Sequence, residues 1–301
     1  MRIAITGATG LVGSALADYL EGAGHEVYRV RRGRSQDRLA DWNPALGWIR
    51  PGALDGLDAV VHLAGEPIAG TSILSARWTP AMRERLRTSR VDATRLLIGH
   101  LATLPHPPRA FVAASAIGFY GNRGDERLTE DSPHGGGFLA GLVRDWERAS
   151  LSARQAGMRT VLLRFGHVLS SKGGVLSRML PTFRLGLGAR FGNGRQYFSW
   201  VAVEDVVRAV EFALSTEIDG TLNVTAPEPV TNAEFAKALG RALHRPAVFA
   251  VPPFALRALI GPGADELLLW GQRVLPARLL AAGFEFRHKD VDEALRATFG
   301  R

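Results

Sequence analysis

The sequence predicts an α/β fold, a doubly wound parallel Rossmann sheet with a smaller mixed C-terminal lobe. Three observations predict it. Short apolar runs alternate with segments of helical periodicity, as in a parallel sheet that helices cover on both faces. A glycine-rich turn joins the first apolar run to the first helical segment. After Arg164 the chain becomes rich in glycine and serine, which indicates a second, less regular part.

The hydrophobic periodicity places the elements in order. Strands are expected at Arg2–Thr6, Glu26–Val30, Ala59–Leu63, Ala110–Ala114, Thr160–Phe165 and Thr221–Val224. Helices are expected at Leu11–Ala23, Arg83–Leu104, Leu139–Ala156, Leu176–Leu185, Glu204–Leu214 and Thr231–Leu243, the last capped by Thr231. We expect a Rossmann core over residues 1–168, to which 195–225 return. A smaller substrate-side lobe covers 169–301, in which a proline-rich link at 246–253 opens a C-terminal helical domain over 246–301.

Composition narrows the classes of function. The chain has 301 residues and no cysteine, which excludes disulfides and thiolate catalysis. No apolar stretch is long enough to span a bilayer, and Met1-Arg2 leads into a strand rather than a signal peptide, so we expect a cytoplasmic protein with no membrane partner. The formal net charge is +8, but the arginines are scattered and no nucleic-acid module is recognised, so no nucleic-acid partner is expected.

The glycine turn predicts a phosphate site. Glycines spaced three apart lie between a strand and an amphipathic helix, which is the context that a dinucleotide-binding turn requires. Glycine lets the backbone approach a phosphate closely, and the start of the helix offers free N–H groups and the positive end of its dipole. The residues assigned to the cofactor here are Gly7, Thr9, Gly10, Leu11, Val12 and Gly13.

The end of the second strand favours NADP(H) over NAD(H). In NAD-binding folds an acidic residue near this point binds the ribose 2′-hydroxyl, whereas arginine accommodates a 2′-phosphate. This strand carries Arg29, and Arg31 and Arg32 follow it, with no carboxylate beside them. We therefore assign Arg31 and Arg32 to the 2′-phosphate. The alternative is a solvated basic loop.

Five segments together resemble a known family: TGATGLVG, VVHLAGEP, SRVDAT, AASAIGFYG and LRFGHVLS, in this order. They resemble the extended short-chain dehydrogenase/reductases. RDWE and FSWVAVEDVV match more closely the atypical epimerase-family branch, which has a small C-terminal domain of unassigned function. The resemblance covers essentially the whole chain and implies a nicotinamide cofactor, a small-molecule substrate and a homodimer through the long core helices.

The resemblance also implies roles for individual residues. Leu63, Ala64 and Gly65 would line the adenosine and its ribose, although packing alone explains Leu63 and Ala64 equally well. Arg90 takes the position of a cofactor-facing asparagine. Ser115 resembles the active-site serine. The segment from Arg164 to Val168 resembles the one that flanks the nicotinamide, and for Val168 core packing is again an equal alternative.

One departure from the family pattern concerns catalysis. Redox-active members carry Tyr-x-x-x-Lys, whose two side chains share one helix face. No tyrosine of this chain stands four residues before a lysine, and counting back from Glu147 puts Leu139 and Val143 in the two positions. Neither can transfer a proton. Tyr120 is the nearest replacement as acid/base, and a purely structural tyrosine is an equal alternative.

Three functional hypotheses remain open. The first is an NADP(H)-dependent oxidoreductase or epimerase in which Ser115 holds the reacting oxygen and Tyr120 is the acid/base. The second is a non-catalytic NADP(H)-binding redox sensor or regulator, which the loss of the Tyr and Lys pair favours. The third is an NAD-dependent sugar-nucleotide epimerase. The eight histidines form no zinc pattern, so no metal is expected.

Overall fold

A computed structural model describes residues 1–33, 41–69 and 77–300. Its strands are β1 Arg2–Thr6, β2 Glu26–Val30, β3 Trp42–Asn43, β4 Trp48–Ile49, β5 Ala59–His62, β6 Ala110–Ala116, β7 Arg127–Leu128, β8 Arg159–Phe165, β9 His167–Leu169, β10 Ala189–Phe191, β11 Tyr197–Phe198, β12 Trp200–Ala202, β13 Gly220–Val224, β14 Val230–Thr231, β15 Phe249–Val251 and β16 Arg273–Val274. Its α-helices are α1 Leu11–Gly22, α2 Pro80–Arg87, α3 Ala93–Leu101, α4 Phe138–Leu151, α5 Gly174–Arg184, α6 Val203–Ser215, α7 Asn232–Leu243, α8 Pro253–Ile260, α9 Ala277–Ala281 and α10 Val291–Thr298.

The central sheet has six parallel strands in the order β13-β8-β6-β5-β1-β2. The chain passes from β1 outward to β2 and then back across β1 to β5, so the strand order reverses beside β1. Ligands of doubly wound sheets bind outside the carboxyl ends of the strands at such a reversal. The predicted fold class is therefore confirmed, and the glycine turn that follows β1 lies at the reversal.

Both faces of the sheet are covered, as its apolar strands require. On one face α1 and α6 pack in a single cluster with side chains of β1, β6 and β8. On the other face α3 packs against β5 and β6, and α2 and α4 form an adjoining cluster. Because the two helical layers bury alternate residues of each strand, the ends of the strands are left to form the site.

The structure differs from the predicted elements in two places. The expected helix Arg83–Leu104 is divided into α2 and α3 by a π-helical turn, Thr88–Asp92. The proline-rich link at 246–253 contains a strand, β15, which pairs in parallel with β10. In contrast, Thr231 caps α7 in a full capping box with Glu234, as its position predicted.

In the described ranges, none of the helices has the length and apolarity that crossing a bilayer would demand. Within the same ranges, no group of three or more acidic or histidine side chains is placed to hold a metal ion.

Candidate functional site

The glycine turn packs so tightly that side chains are excluded from two of its positions. Gly7 has a φ of +71°, and a Cβ there would lie 2.9 Å from the backbone of Leu63 and Ala64. A Cβ on Gly13 would lie 2.2 Å from the carbonyl oxygen of Gly7. The turn therefore brings β1, the start of α1 and the residues after β5 into direct contact, as the spacing of the glycines predicted.

The N-terminus of α1 is not neutralised by an acidic side chain of its own first turn. Gly10 is the N-cap, no side chain caps the helix, and its first turn holds no acidic residue. The N–H groups of Leu11, Val12 and Gly13 belong to the first turn, which has no intrahelical acceptors for them. With Thr9 in the preceding turn, these groups form an electropositive end at the edge of the sheet that suits a phosphate.

Three arginines at the end of β2 have different surroundings. Arg29 is held against α1 by ion pairs of 2.8 Å to Asp18 and 2.9 Å to Glu21. Arg31 and Arg32 lie beyond the strand and are both more than half exposed. Their contacts with carboxylates are longer, 3.8 Å for Arg31 and 3.4 Å for Arg32. Of these three arginines, Arg31 and Arg32 are thus the ones available to a ligand.

The fold brings two carboxylates to this strand end, Glu66 from the loop after β5 and the buried Asp41. Asp41 is only 1% exposed, and its side chain accepts hydrogen bonds from Tyr28 Oη at 2.6 Å, Arg50 Nη2 at 2.6 Å and the Arg31 backbone N–H at 2.7 Å. These donors occupy both oxygens of the buried side chain. Asp41 therefore fixes the end of β2, and it does not resemble the exposed acid that binds a ribose 2′-hydroxyl.

Arg90 is a buried cation beside the loop that follows β5. It lies in the π-helical turn and donates hydrogen bonds to the carbonyls of Glu66 at 2.8 Å and Leu86 at 3.4 Å. Its guanidinium lies over the Trp146 ring, and a Cβ on Gly65 would be 3.2 Å from Arg90 Cζ. Burial lowers the pKa of Arg90 to about 10, so it stays protonated at neutral pH. Among the described residues no carboxylate lies within ion-pair distance of Arg90, and the charge of Glu66 only partly opposes the lowering of its pKa.

Ser115 and Arg164 meet in a buried polar network centred on Glu147. The Glu147 carboxylate accepts the Ser115 hydroxyl at 2.5 Å, Arg164 Nε at 2.7 Å and Arg164 Nη2 at 2.8 Å. All three side chains are less than 9% exposed. Ser115 therefore donates its only proton to Glu147, and the Arg164 guanidinium is directed at Glu147 rather than toward a ligand.

Tyr120 extends this network. Arg164 Nη1 donates to its hydroxyl at 2.8 Å, while the hydroxyl oxygen lies 2.7 Å from Asn223 Oδ1 and 2.9 Å from the Thr129 carbonyl. The side chain is completely buried. Burial raises the pKa of Tyr120 above its ordinary value, although Arg164 opposes this effect. These surroundings argue against Tyr120 as an acid/base that touches a ligand and favour the structural alternative.

The positions expected for the Tyr and Lys pair form an apolar surface. Leu139 and Val143 are both buried on α4, and a Cβ on Gly118 would lie 3.5 Å from Leu139 Cβ and 4.0 Å from Val143 Cγ2. Glu147 follows four residues after Val143 on the same helix face. Glu147 was not among the predicted site residues. The spacing of four residues between Leu139, Val143 and Glu147 could have predicted that the Glu147 carboxylate faces the sheet, because such residues share one helix face.

Val168 belongs to β9, which pairs with β12 and is packed partly against the main core. The neighbouring His167 stacks on Phe198 with ring centroids 4.1 Å apart, and desolvation lowers its pKa to about 4.

Most of the predicted site residues fall into two groups. The glycine turn touches Leu63 and Ala64, and Gly65 touches Arg90, whereas Ser115, Tyr120 and Arg164 share the network.

Comparisons with known proteins decide the family. The model of the NAD dependent epimerase/dehydratase family matches residues 3–225. The chain belongs to this family. A second model, a domain of unknown function named DUF1731, matches residues 251–298. The predicted resemblance to the epimerase-family branch is therefore confirmed.

Relatives match over nearly the whole chain. An epimerase family protein of Mycobacterium leprae is 46% identical over 97% of this chain and 94% of its own length. The epimerase family protein SDR39U1 of Homo sapiens is 36% identical over 98% of this chain and 99% of its own. A crystal structure of human SDR39U1 with NADPH matches with a TM-score of 0.88 and 34% identity, and covers all of both chains. A nucleoside-diphosphate sugar epimerase from Corynebacterium glutamicum matches with a TM-score of 0.79 and 36% identity over all of this chain and 58% of that one.

Proposed function

We propose that this protein binds NADP(H) across the carboxyl edge of its parallel sheet. The observation that carries the proposal is the pair of exposed arginines, Arg31 and Arg32, beside the uncapped N-terminus of α1. Two exposed guanidinium groups whose contacts with carboxylates are long match a phosphate dianion better than a ribose hydroxyl. The human relative that was crystallised with NADPH supports the same cofactor.

The residues present fit this cofactor in three places. The first turn of α1 would hold the pyrophosphate, and Gly13 lets this turn pack closely against the backbone of Gly7. Arg31 and Arg32 would hold the 2′-phosphate. Arg90 would present its charge beside Gly65, and Leu63 and Ala64 would line the cofactor from the loop after β5. When bound, NADP(H) supplies or accepts a hydride.

An oxidoreductase or epimerase also needs a proton-transfer group that touches the reacting atoms. Ser115 and Tyr120 are buried in the network of Glu147 and Arg164, so we propose that they position strands β6 and β8 beneath the cofactor. Leu139 and Val143 cannot replace them. This observation favours a second candidate function, the binding of NADP(H) without turnover in a sensing or regulatory role.

A sugar-nucleotide epimerase is the least supported of the three hypotheses. The Corynebacterium glutamicum protein carries that description, but this chain covers only 58% of its length. The strand end after β2 offers cations instead of the exposed carboxylate that suits NAD. The proposal therefore keeps NADP(H) as the cofactor.

One experiment separates catalysis from binding. Purified protein is titrated with NADPH by fluorescence and then assayed for NADPH oxidation with a panel of aldehydes, ketones and quinones. Tight binding without oxidation of NADPH supports the second candidate. Oxidation that survives in Ser115→Ala and Tyr120→Phe places the acid/base elsewhere, whereas its abolition in stably folded variants restores the catalytic roles predicted for these residues. Failure of NADPH to bind refutes the proposal as a whole.

A further inference from the structure

The net charge of the protein comes from two segments that pack together. Residues 171–203 contain five Lys or Arg and no Asp or Glu, and residues 235–264 contain four and none. The whole chain has 37 Lys and Arg against 29 Asp and Glu, so 28 against 29 remain elsewhere. The excess of +8 is therefore confined to these two segments, which we call the basic segments.

The basic segments form one continuous surface. Strand β10 of the first pairs in parallel with β15 of the second, and the Phe249 N–H donates to the Gly188 carbonyl at 3.2 Å. Arg245 Nε donates to the Arg184 carbonyl at 3.0 Å. Charges that are scattered along the sequence thus become neighbours in the fold.

Large apolar side chains protrude from the same surface. Leu185 and Val248 are each 75% exposed, Phe254 is 74% exposed, and Leu187 and Phe249 are about half exposed. Leu185 and Leu187 lie on the connection between α5 and β10, and the other three lie on or beside β15 and in the first turn of α8. Exposed apolar side chains in such a group mark an interaction surface.

Cations without ion pairs surround this apolar group. Arg184, Lys237 and Arg245 are exposed, and within the described ranges none of them lies within 4 Å of a carboxylate oxygen, although Lys237 is close enough to Glu234 to lower the pKa of that carboxyl. A cavity of about 680 Å³ opens beside Pro246 and Val248, and its other lining residues include Lys237, Arg241, His244 and Arg245. The surface therefore combines protruding apolar groups with a cationic recess.

We propose that the basic segments dock on the surface of an anionic lipid bilayer. A bilayer with anionic headgroups offers negative charge for the cations and an apolar interior for the protruding side chains. The recess is lined to receive an anionic headgroup. A second copy of this chain would bring the same positive charge to the contact, and a nucleic acid offers no apolar phase for Leu185 or Val248. This proposal departs from the sequence-based expectation of no membrane partner, which rested on the lack of an apolar stretch long enough to span a bilayer, a feature that a surface contact does not need.

The test is sedimentation of the full-length protein with vesicles. Vesicles of phosphatidylcholine alone are compared with vesicles that contain about 30% phosphatidylglycerol, at about 50 mM and 500 mM NaCl. The charge variant is Arg184→Glu/Arg245→Glu, and its control is Arg95→Glu/Arg148→Glu, which changes the net charge equally on α3 and α4. The apolar variant is Leu185→Ser/Val248→Ser, and its control is Leu46→Ser, at a leucine that is 62% exposed elsewhere. Thermal melting verifies that every variant is folded.

The expected result is binding to the anionic vesicles only, weakened by high salt. Each surface variant should lower the partition coefficient at least about tenfold, and each control should stay within about twofold of the original protein. The proposal is overturned by absence of binding, by equal binding to both vesicle types, or by controls that lose as much as the surface variants. Vesicle binding that is insensitive to Leu185→Ser/Val248→Ser also overturns it, because charge alone would then account for the contact.

Discussion

Replacement of Glu147 by glutamine should destabilise the protein more than any exposed charge change. The Glu147 carboxylate neutralises a buried arginine through two bonds of 2.7 and 2.8 Å and accepts the Ser115 hydroxyl. Glutamine keeps the shape, removes the charge and presents an N–H₂ group to a guanidinium. Breaking a buried ion pair in this way costs about 3–5 kcal/mol, because the remaining charge is left unpaired.

This loss in the free energy of unfolding corresponds to a lower melting temperature. At about 2.1 cal/mol/K per residue, a chain of 301 residues has an unfolding entropy near 0.6 kcal/mol/K at its midpoint. Glu147→Gln should therefore lower Tm by about 5–8 °C, measured by calorimetry. Ser115→Ala removes one bond to a charged group, about 1.5–3 kcal/mol, and should lower Tm by about 2–5 °C.

An exposed ion pair provides the control. Arg154 and Asp219 are 2.6 Å apart and about half exposed, so Asp219→Asn should cost less than about 1 kcal/mol and less than about 2 °C. A Glu147→Gln variant that melts no lower than Asp219→Asn would refute the structural role of the network. Ser115 would then need a functional explanation again.

Three further predictions follow from the geometry. Gly13→Ala should weaken NADPH binding at least about tenfold, since its Cβ would lie 2.2 Å from the Gly7 oxygen, whereas Gly22→Ala, with open space around the new Cβ, should bind as the original does; fluorescence titration measures both. Tyr120→Phe should lower stability by about 1–3 kcal/mol, because Arg164 Nη1 loses its acceptor, and should leave the affinity for NADPH unchanged; denaturant unfolding and titration test the two halves. Burial lowers the pKa of His62 to about 4, below the unfolded value near 6.5, so the unfolded chain binds more protons between these two values and the protein loses stability as the pH is lowered. Lowering the pH from 7 to 5 should therefore reduce the free energy of unfolding by about 2 kcal/mol through this group. Unfolding of His62→Gln should show a pH dependence that is smaller by that amount.

The parts of the fold that the sequence predicted are those that local pattern determines. The strands of the central sheet are short segments rich in apolar residues, and β1 and β2 have the expected bounds because charged or glycine residues flank them. The short pairs β9–β12, β10–β15 and β11–β14 were not predicted. Each has only two or three residues per strand, and their partners lie far apart in sequence, so no window of periodicity contains them.

The same limit applies to the site. The glycine turn and the two arginines were predictable because strand, turn and helix follow one another in the chain. The partner of Ser115 was not, because Glu147 lies 32 residues away on a helix whose orientation only the packed fold determines. Asp41 and the cation at Arg90 likewise acquire their surroundings from tertiary contacts. The motif that contains Ser115 and Tyr120 correctly predicted the family, but it gave no information on how deeply these two side chains are buried.

The central claim concerns the 2′-phosphate, and one comparison tests it most directly. The dissociation constants for NADPH and NADH are measured by fluorescence titration for the original protein, Arg31→Ala/Arg32→Ala and the matched control Arg29→Ala, whose arginine is tied to Asp18 and Glu21. The account predicts that the original protein and Arg29→Ala prefer NADPH at least about tenfold and that the double variant loses the preference while still binding NADH. Equal affinity of the original protein for the two cofactors, or a double variant that keeps its preference for NADPH, would contradict it.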